Sequence, residues 1–338
     1  MEVEIMVTIK DVAKLAGVSI STVSRVINNS KPVSPEVRKK VLKVIEETGY
    51  RPNDIARTLV TKKSYLIGVI VTNLANSYVA EMVRGIEEVG KMYNYDILLC
   101  STYGDKSTEL KYIQLLNRKQ VEGIIFISDK LNEEVKEQVD AFKIPFLYLS
   151  RHSIEEKYPT VTIDNNLASY EMTQYLINLG HKKVAYLTDS EEPTNLEQLK
   201  INGYKKAIEE NEIEKELIYY ANGRKNEEGY AAAKEILKEN EDVTAIFCSN
   251  DELAIGVINY LRDKDIKVPD EISVAGYGDL RMATIIRPQI TTVKEPFYDM
   301  GAVAIRMIIK EIAGEKVKEK RVNLPFHIEK RDSCKKIK

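Results

Sequence analysis

The chain has no tryptophan and only three cysteines and three histidines among its 338 residues. Cys100, Cys248 and Cys334 lie far apart with no CxxC or Cys/His spacing, which indicates neither a disulfide framework nor a metal site. His152, His181 and His327 are equally scattered, and the GxSxG and HExxH patterns are both missing. A phosphate-cradling P-loop is missing too, and Gly276-Tyr-Gly278 lacks the third glycine and the helix start of a dinucleotide fingerprint. No constellation suited to catalysis or to a bound cofactor emerges, so an enzyme is not expected. No apolar run approaches the roughly 18 residues that a membrane helix needs. Met1 to Met6 is acidic and lacks the basic start and apolar stretch of a secretory leader, so a cytoplasmic protein is expected.

Charge is nearly balanced overall but unevenly placed. Residues 1–63 carry 12 Lys and Arg against 7 Asp and Glu, whereas the remainder carries 38 against 45. A small basic segment ahead of a large acidic body points toward nucleic acid, because cationic side chains gain affinity by releasing counterions condensed on phosphates. Solvated helix faces produce the same imbalance, so a motif must decide.

The first sixty residues supply one. Thr8-Ile-Lys-Asp11 has the form of a capping box, with Thr8 set to accept from a first-turn amide. Val12, Leu15 and Ala16 repeat at helical spacing on the apolar side, and Gly17 offers the left-handed residue that ends the helix. Ser19 can cap a second helix at once. In that helix Val23, Val26 and Ile27 share one face, while Ser21, Arg25 and Asn28 project from the other with Thr22 at its margin. A short polar, basic face suits a major groove, where arginine bridges guanine O6 and N7 and hydroxyls reach base edges or phosphates. A plain helical hairpin with a solvated face has the same periodicity. A third helix is expected from Ser34-Pro35-Glu36 to Thr48-Gly49, with Val37, Val41, Val44 and Ile45 inward. Asn53 to Leu59 is one to two helical turns, too short to be stable alone.

From residue 64, apolar runs alternate with amphipathic helical patterns. The runs are Leu66–Val71, Ile97–Cys100, Gly123–Ile127, Pro145–Leu149, Val161–Ile163, Val184–Thr188, Ala245–Cys248 and Ile272–Ala275. Between them lie helical patterns such as Ala80–Tyr93, Glu109–Arg118, Leu167–Leu179, Gly203–Asn211 and Asp251–Lys264. This alternation implies parallel sheets covered by helices on both faces, and the length implies two Rossmann-like lobes with a cleft.

The runs DVAKLAGVSISTVSRVIN and GYRPNDIARTL resemble the DNA-binding headpiece and hinge of the lactose repressor/galactose repressor family. The resemblance implies an α/β protein with a helix-turn-helix headpiece (1–50), a hinge (51–63) and a two-lobed core of periplasmic-binding-protein type (64–338). By position, the N-lobe is 64–162 with 293–322, and the C-lobe is 163–292 with 323–338. It implies a homodimer on a pseudo-palindromic operator, with Thr8, Ser19, Ile20, Ser21, Thr22, Arg25 and Asn28 toward DNA. Ile20 sits near the core side of the helical wheel and offers only apolar contact. Leu59, with Ala56 beside it, would wedge into the minor groove; an apolar wedge unstacks a base step and bends the duplex.

The same resemblance maps Ser77, Tyr78, Arg151, Asp164, Lys200 and Asp251 onto an effector cleft. Members that answer to sugars or purines usually carry arginine where this chain has Lys200, and a lysine lacks the planar two-pronged donor. Two helical stretches, MVRGIEEVGKMYNY (82–95) and YDMGAVAIRMIIK (298–310), with RPQITTV (287–293), resemble members whose corepressor is the serine-phosphorylated phosphocarrier HPr. That likeness implies that Arg306 receives the phosphoserine, assisted by Lys310, with Arg84, Tyr93, Tyr298 and Asp299 in the contact. The alternative is a related repressor governed by a sugar or sugar phosphate in the cleft.

Overall fold

The computed structural model describes residues 7–28, 31–50, 63–151, 154–315 and 319–337. The hinge residues Ala56 and Leu59, together with His152, lie outside this set, as does the side chain of Asn28. The chain divides into two compact units between Ser64 and Tyr65.

The first unit holds three helices, α1 (Ile9–Ala16), α2 (Ile20–Asn28) and α3 (Pro35–Thr48). Gly17 at φ 62° ends α1, and the Ser34 hydroxyl accepts from the Val37 amide at 3.5 Å to start α3. Val12, Ala16, Val23, Val26 and Val41 close a small core against which Val37, Val44 and Ile45 pack. One detail differs from expectation. Leu15 is 61% exposed, because Ala13, one step round the helix, takes the inward position. The expected capping box between Thr8 and Asp11 is present, and Asp11 Oδ2 accepts from the Thr8 N–H at 2.9 Å and from its hydroxyl at 2.7 Å.

The second unit contains two parallel sheets. One has the order β2 (Asp96–Ser101), β1 (Leu66–Val71), β3 (Gly123–Ile127), β4 (Phe146–Leu149). The other runs β12 (His327–Glu329), β10 (Thr291–Lys294), β9 (Ser273–Gly278), β8 (Ala245–Cys248), β6 (Val184–Thr188), β7 (Leu217–Tyr220), with only β12 antiparallel. Strands β3, β4, β6 and β8 are buried along their whole length, as helices on both faces require.

Between the sheets, β5 (Thr160–Ile163) pairs in parallel with β11 (Arg321–Leu324). The chain therefore leaves the first lobe through β5. It returns after β10 into the helix Phe297–Ile312, which packs on β3 and on the helix Ser77–Met92, and it leaves again through β11. Those two helices meet at glycines. A Cβ on Gly85 would lie 2.1 Å from the Tyr298 carbonyl oxygen, and one on Gly301 2.0 Å from that of Met82.

The helix expected from Gly203 begins at Asn195, capped by the Thr194 hydroxyl. Its first two turns bury Glu197 and Lys200, polar residues that an apolar periodicity does not register.

Candidate functional site

In α2 the Ser19 hydroxyl accepts from the Thr22 amide at 3.1 Å and lies 2.7 Å from the Ser21 hydroxyl and 2.9 Å from that of Thr22. These three hydroxyls form one cluster at the helix start, where four amides lack intrahelical acceptors. Ser21 and Arg25 are exposed, and Thr22 is half-buried. The Arg25 guanidinium meets no carboxylate among the described residues, which leaves its donors available. Ile20, expected near the core side, is instead 45% exposed: as the first helical residue it precedes the turn that packs on α1 and α3. The result is an outward face with one arginine, a hydroxyl cluster and an apolar side chain, suited to base edges and a thymine methyl.

On the core, the helix Ser77–Met92 and its partner Phe297–Ile312 present a shared outer surface. Arg84 pairs with Glu81 at 2.7 Å, and its guanidinium stands 4.8 Å above the ring of Tyr298. The Tyr298 hydroxyl donates to Glu88 at 2.6 Å, which raises its pKa. Tyr93 ends its helix 49% exposed, and Asp299 is exposed in the first turn of the partner helix. Arg306 and Lys310, one turn apart, are both exposed, and neither reaches a carboxylate among the described residues. The two packed helices thus carry an Arg84–Tyr298 contact and, on the second, two unneutralised cations at i and i+4.

The cleft residues lie at strand and helix ends between the lobes. Ser77 and Tyr78 open their helix half-buried, and Asp164 caps the helix Asn165–Asn178 by accepting from the Leu167 amide at 3.0 Å. Arg151 is 7% exposed and donates through Nε and Nη2 to Glu295 Oε2 at 3.0 and 2.6 Å. Its guanidinium covers the rings of Tyr78 and Phe297, each at 5.1 Å. Lys200 is 2% exposed, bonded to Glu197 Oε1 at 2.6 Å and to the Ser249 carbonyl at 3.2 Å, and set 4.3 Å over the Tyr277 ring. Asp251 is fully buried, accepting from the Thr292 hydroxyl at 2.7 Å and the Leu280 amide at 2.6 Å. Burial pushes its carboxyl up to about 6, against the opposing pull of those two donors. The cationic groups expected to greet a ligand are therefore already held by carboxylates of the chain.

Sequence reasoning did not single out Glu197, Glu295, Asp129, Asp189 or Arg224, all of which shape this region. Asp129 and Asp189 stand just beyond the carboxyl ends of β3 and β6, so collecting the residues that follow each strand would have found them.

Comparison with known proteins identifies the family. Residues 8–53 match the model of bacterial regulatory proteins of the lacI family, and residues 64–331 match that of periplasmic binding proteins and the sugar-binding domain of the LacI family. The chain belongs to the lacI family. Catabolite control protein A of Priestia megaterium is 40% identical over 331 residues, covering 97% of this chain and 99% of that protein. The transcriptional regulator RegA of Clostridium saccharobutylicum is 38% identical over 328 residues, covering 96% and 98%. Among solved structures, the lac repressor dimer bound to operator and an anti-inducer superposes with a TM-score of 0.83 at 26% identity, covering 97% of this chain and 99% of that one. This lacI-family chain is a DNA-binding transcription regulator and not an enzyme. Among the described residues no helix is long and apolar enough to cross a membrane.

Proposed function

We propose that this regulator binds a pseudo-palindromic operator as a homodimer in the cytoplasm, acting mainly as a repressor of carbon catabolite genes, with its operator affinity raised by serine-phosphorylated HPr. Each headpiece reads a half-site through Arg25, Ser21 and Ile20, aided by Thr8, Ser19, Thr22 and Asn28. Leu59 of both subunits, packed beside Ala56, pries the centre. The observation that carries the corepressor assignment is the pair Arg306 and Lys310, exposed and without a carboxylate partner among the described residues, on the helix that also bears Tyr298 and Asp299 and that packs on the helix bearing Arg84 and ending at Tyr93. An arginine fork gives a phosphoserine a bidentate partner, and a second cation one turn away adds to it. The likeness to proteins named catabolite control protein A points the same way. A sugar phosphate in the cleft fits less well, since it must displace Glu295 from Arg151 or Glu197 from Lys200.

The test is fluorescence anisotropy on a labelled palindromic operator at fixed salt, with serine-phosphorylated HPr and with the unphosphorylated protein as control. The expected result is at least tenfold tighter operator binding with the phosphoprotein only, lost in Arg306→Ala while basal binding persists. Operator binding that ignores the phosphoprotein removes HPr from the reading and leaves the DNA-binding assignment standing.

A further inference from the structure

Arg224, half-buried beyond the end of β7, reaches across the cleft: Nη1 donates to Asp129 Oδ2 at 3.0 Å, while Nε donates to Asp189 Oδ2. Asp189 and Arg224 belong to the six-stranded lobe, and Asp129 belongs to the four-stranded one, following β3. Asp189 is 5% exposed and holds the guanidinium from below, so one prong remains for the opposite lobe. The Tyr78 hydroxyl, 3.4 Å from Asp129 Oδ1, faces the same carboxylate.

Topology gives this contact leverage. The crossings between lobes run through β5, β10 and β11, and β12 and β10 form one edge of the six-stranded sheet. Strand β7 is the opposite edge, four strands from β10, or roughly 19 Å at the ordinary interstrand spacing. A tie so far from the β10 crossing resists opening better than an equal tie beside it. A second cross-lobe contact accompanies it: the Asn195 side chain accepts from the Ile154 N–H and donates to the Ile154 carbonyl, both at 2.9 Å.

We propose that Arg224 is a built-in clasp that closes the two lobes on each other without a small ligand, Asp189 positioning its guanidinium and Asp129 receiving it. The clasp supplies from the chain itself the cross-cleft bonding that a polar effector supplies in an open cleft. It rests on the core alone and is independent of which protein acts as corepressor.

Arg224 is 36% exposed and Asp129 42%, so the bond is partly screened by solvent and its effect is a shift of population and not a lock. The test places nitroxide labels on the full-length chain at Glu137→Cys and Glu227→Cys, exposed positions in the two lobes, and reads their distance distribution after dilution with unlabelled chain. The three native cysteines are buried and do not take label. The chain with native Arg224 and Asp129 is expected to show one dominant short distance. Arg224→Ala and the isosteric Asp129→Asn are each expected to raise the long-distance fraction two- to fivefold, and the double variant no further than either alone. Raising NaCl from about 0.05 to about 1 M is expected to open the native pairing and leave both variants unmoved. Unchanged distributions in both single variants, shifts that add in the double variant, or a salt-insensitive native pairing would each overturn the clasp.

Discussion

Arg151, Lys200 and Asp251 are all buried in the cleft region, yet they meet its low polarity differently. Arg151 and Lys200 carry their own carboxylates, Glu295 and Glu197, so each charge is compensated where it sits. Asp251 has hydrogen-bond donors but no cation within ion-pair distance among the described residues, and its carboxyl rises from the ordinary 3.8 to about 6. The folded state then holds the proton more tightly than the unfolded chain. The associated stability is complete below about pH 4 and is lost as pH rises through about 6, a difference of about 3 kcal/mol. Asp251→Asn is expected to flatten the pH 4 to 6 segment of the melting-temperature profile; an unaltered slope would assign that titration to other groups. Residue types at strand ends announce such a site, but their partners do not show in the sequence. Lys200 reads as a ligand group until Glu197, one turn earlier, is seen to be buried with it.

At the level of elements, the surface bearing Arg306 depends on how closely two helices approach. Gly85 and Gly301 let the backbones of Ser77–Met92 and Phe297–Ile312 touch, and a single added methyl at Gly301 would sit 2.0 Å from the Met82 carbonyl oxygen. Backbone cannot yield as a side-chain tip does. Gly301→Ala is therefore expected to cost about 3 kcal/mol in urea unfolding and to weaken the phosphoprotein response by moving Tyr298 and Arg306 away from Arg84 on the other helix. A variant as stable as the parent would show that the crossing tolerates separation. The strands of this lobe and its helices Ser77–Met92 and Lys106–Arg118 are legible as apolar runs and 3.6-residue periods. The glycine contacts are not, because a glycine within a helical pattern looks the same whether or not a second backbone lies against it.

At the scale of the whole molecule, the proposed homodimer needs an apolar surface, and several large apolar side chains of the core are exposed. Leu99 (37%) lies on the first lobe's edge strand β2 and Tyr103 (80%) just beyond it, Leu74 (42%) follows β1, and Met282 (46%) and Ile285 (53%) lie on the second lobe. An exposed edge strand with apolar side chains is a surface that associates. Leu99→Asp is expected to shift the protein from dimer toward monomer in sedimentation equilibrium and to weaken operator binding with it. A dimer that persists unchanged would place the interface elsewhere. The sequence by itself determined the basic headpiece, the outward face of α2 and the alternation of strands and helices. Each of these follows from side-chain type and local spacing, which act within a few residues of chain. Only the tertiary structure decided that the cleft cations are matched by carboxylates of the same chain and that Arg224 reaches Asp129. Lys200 and Glu197 are three residues apart, but the Arg224–Asp129 and Arg151–Glu295 pairs join residues 95 and 144 positions apart, and ion pairing depends on distance in space, which no local pattern encodes.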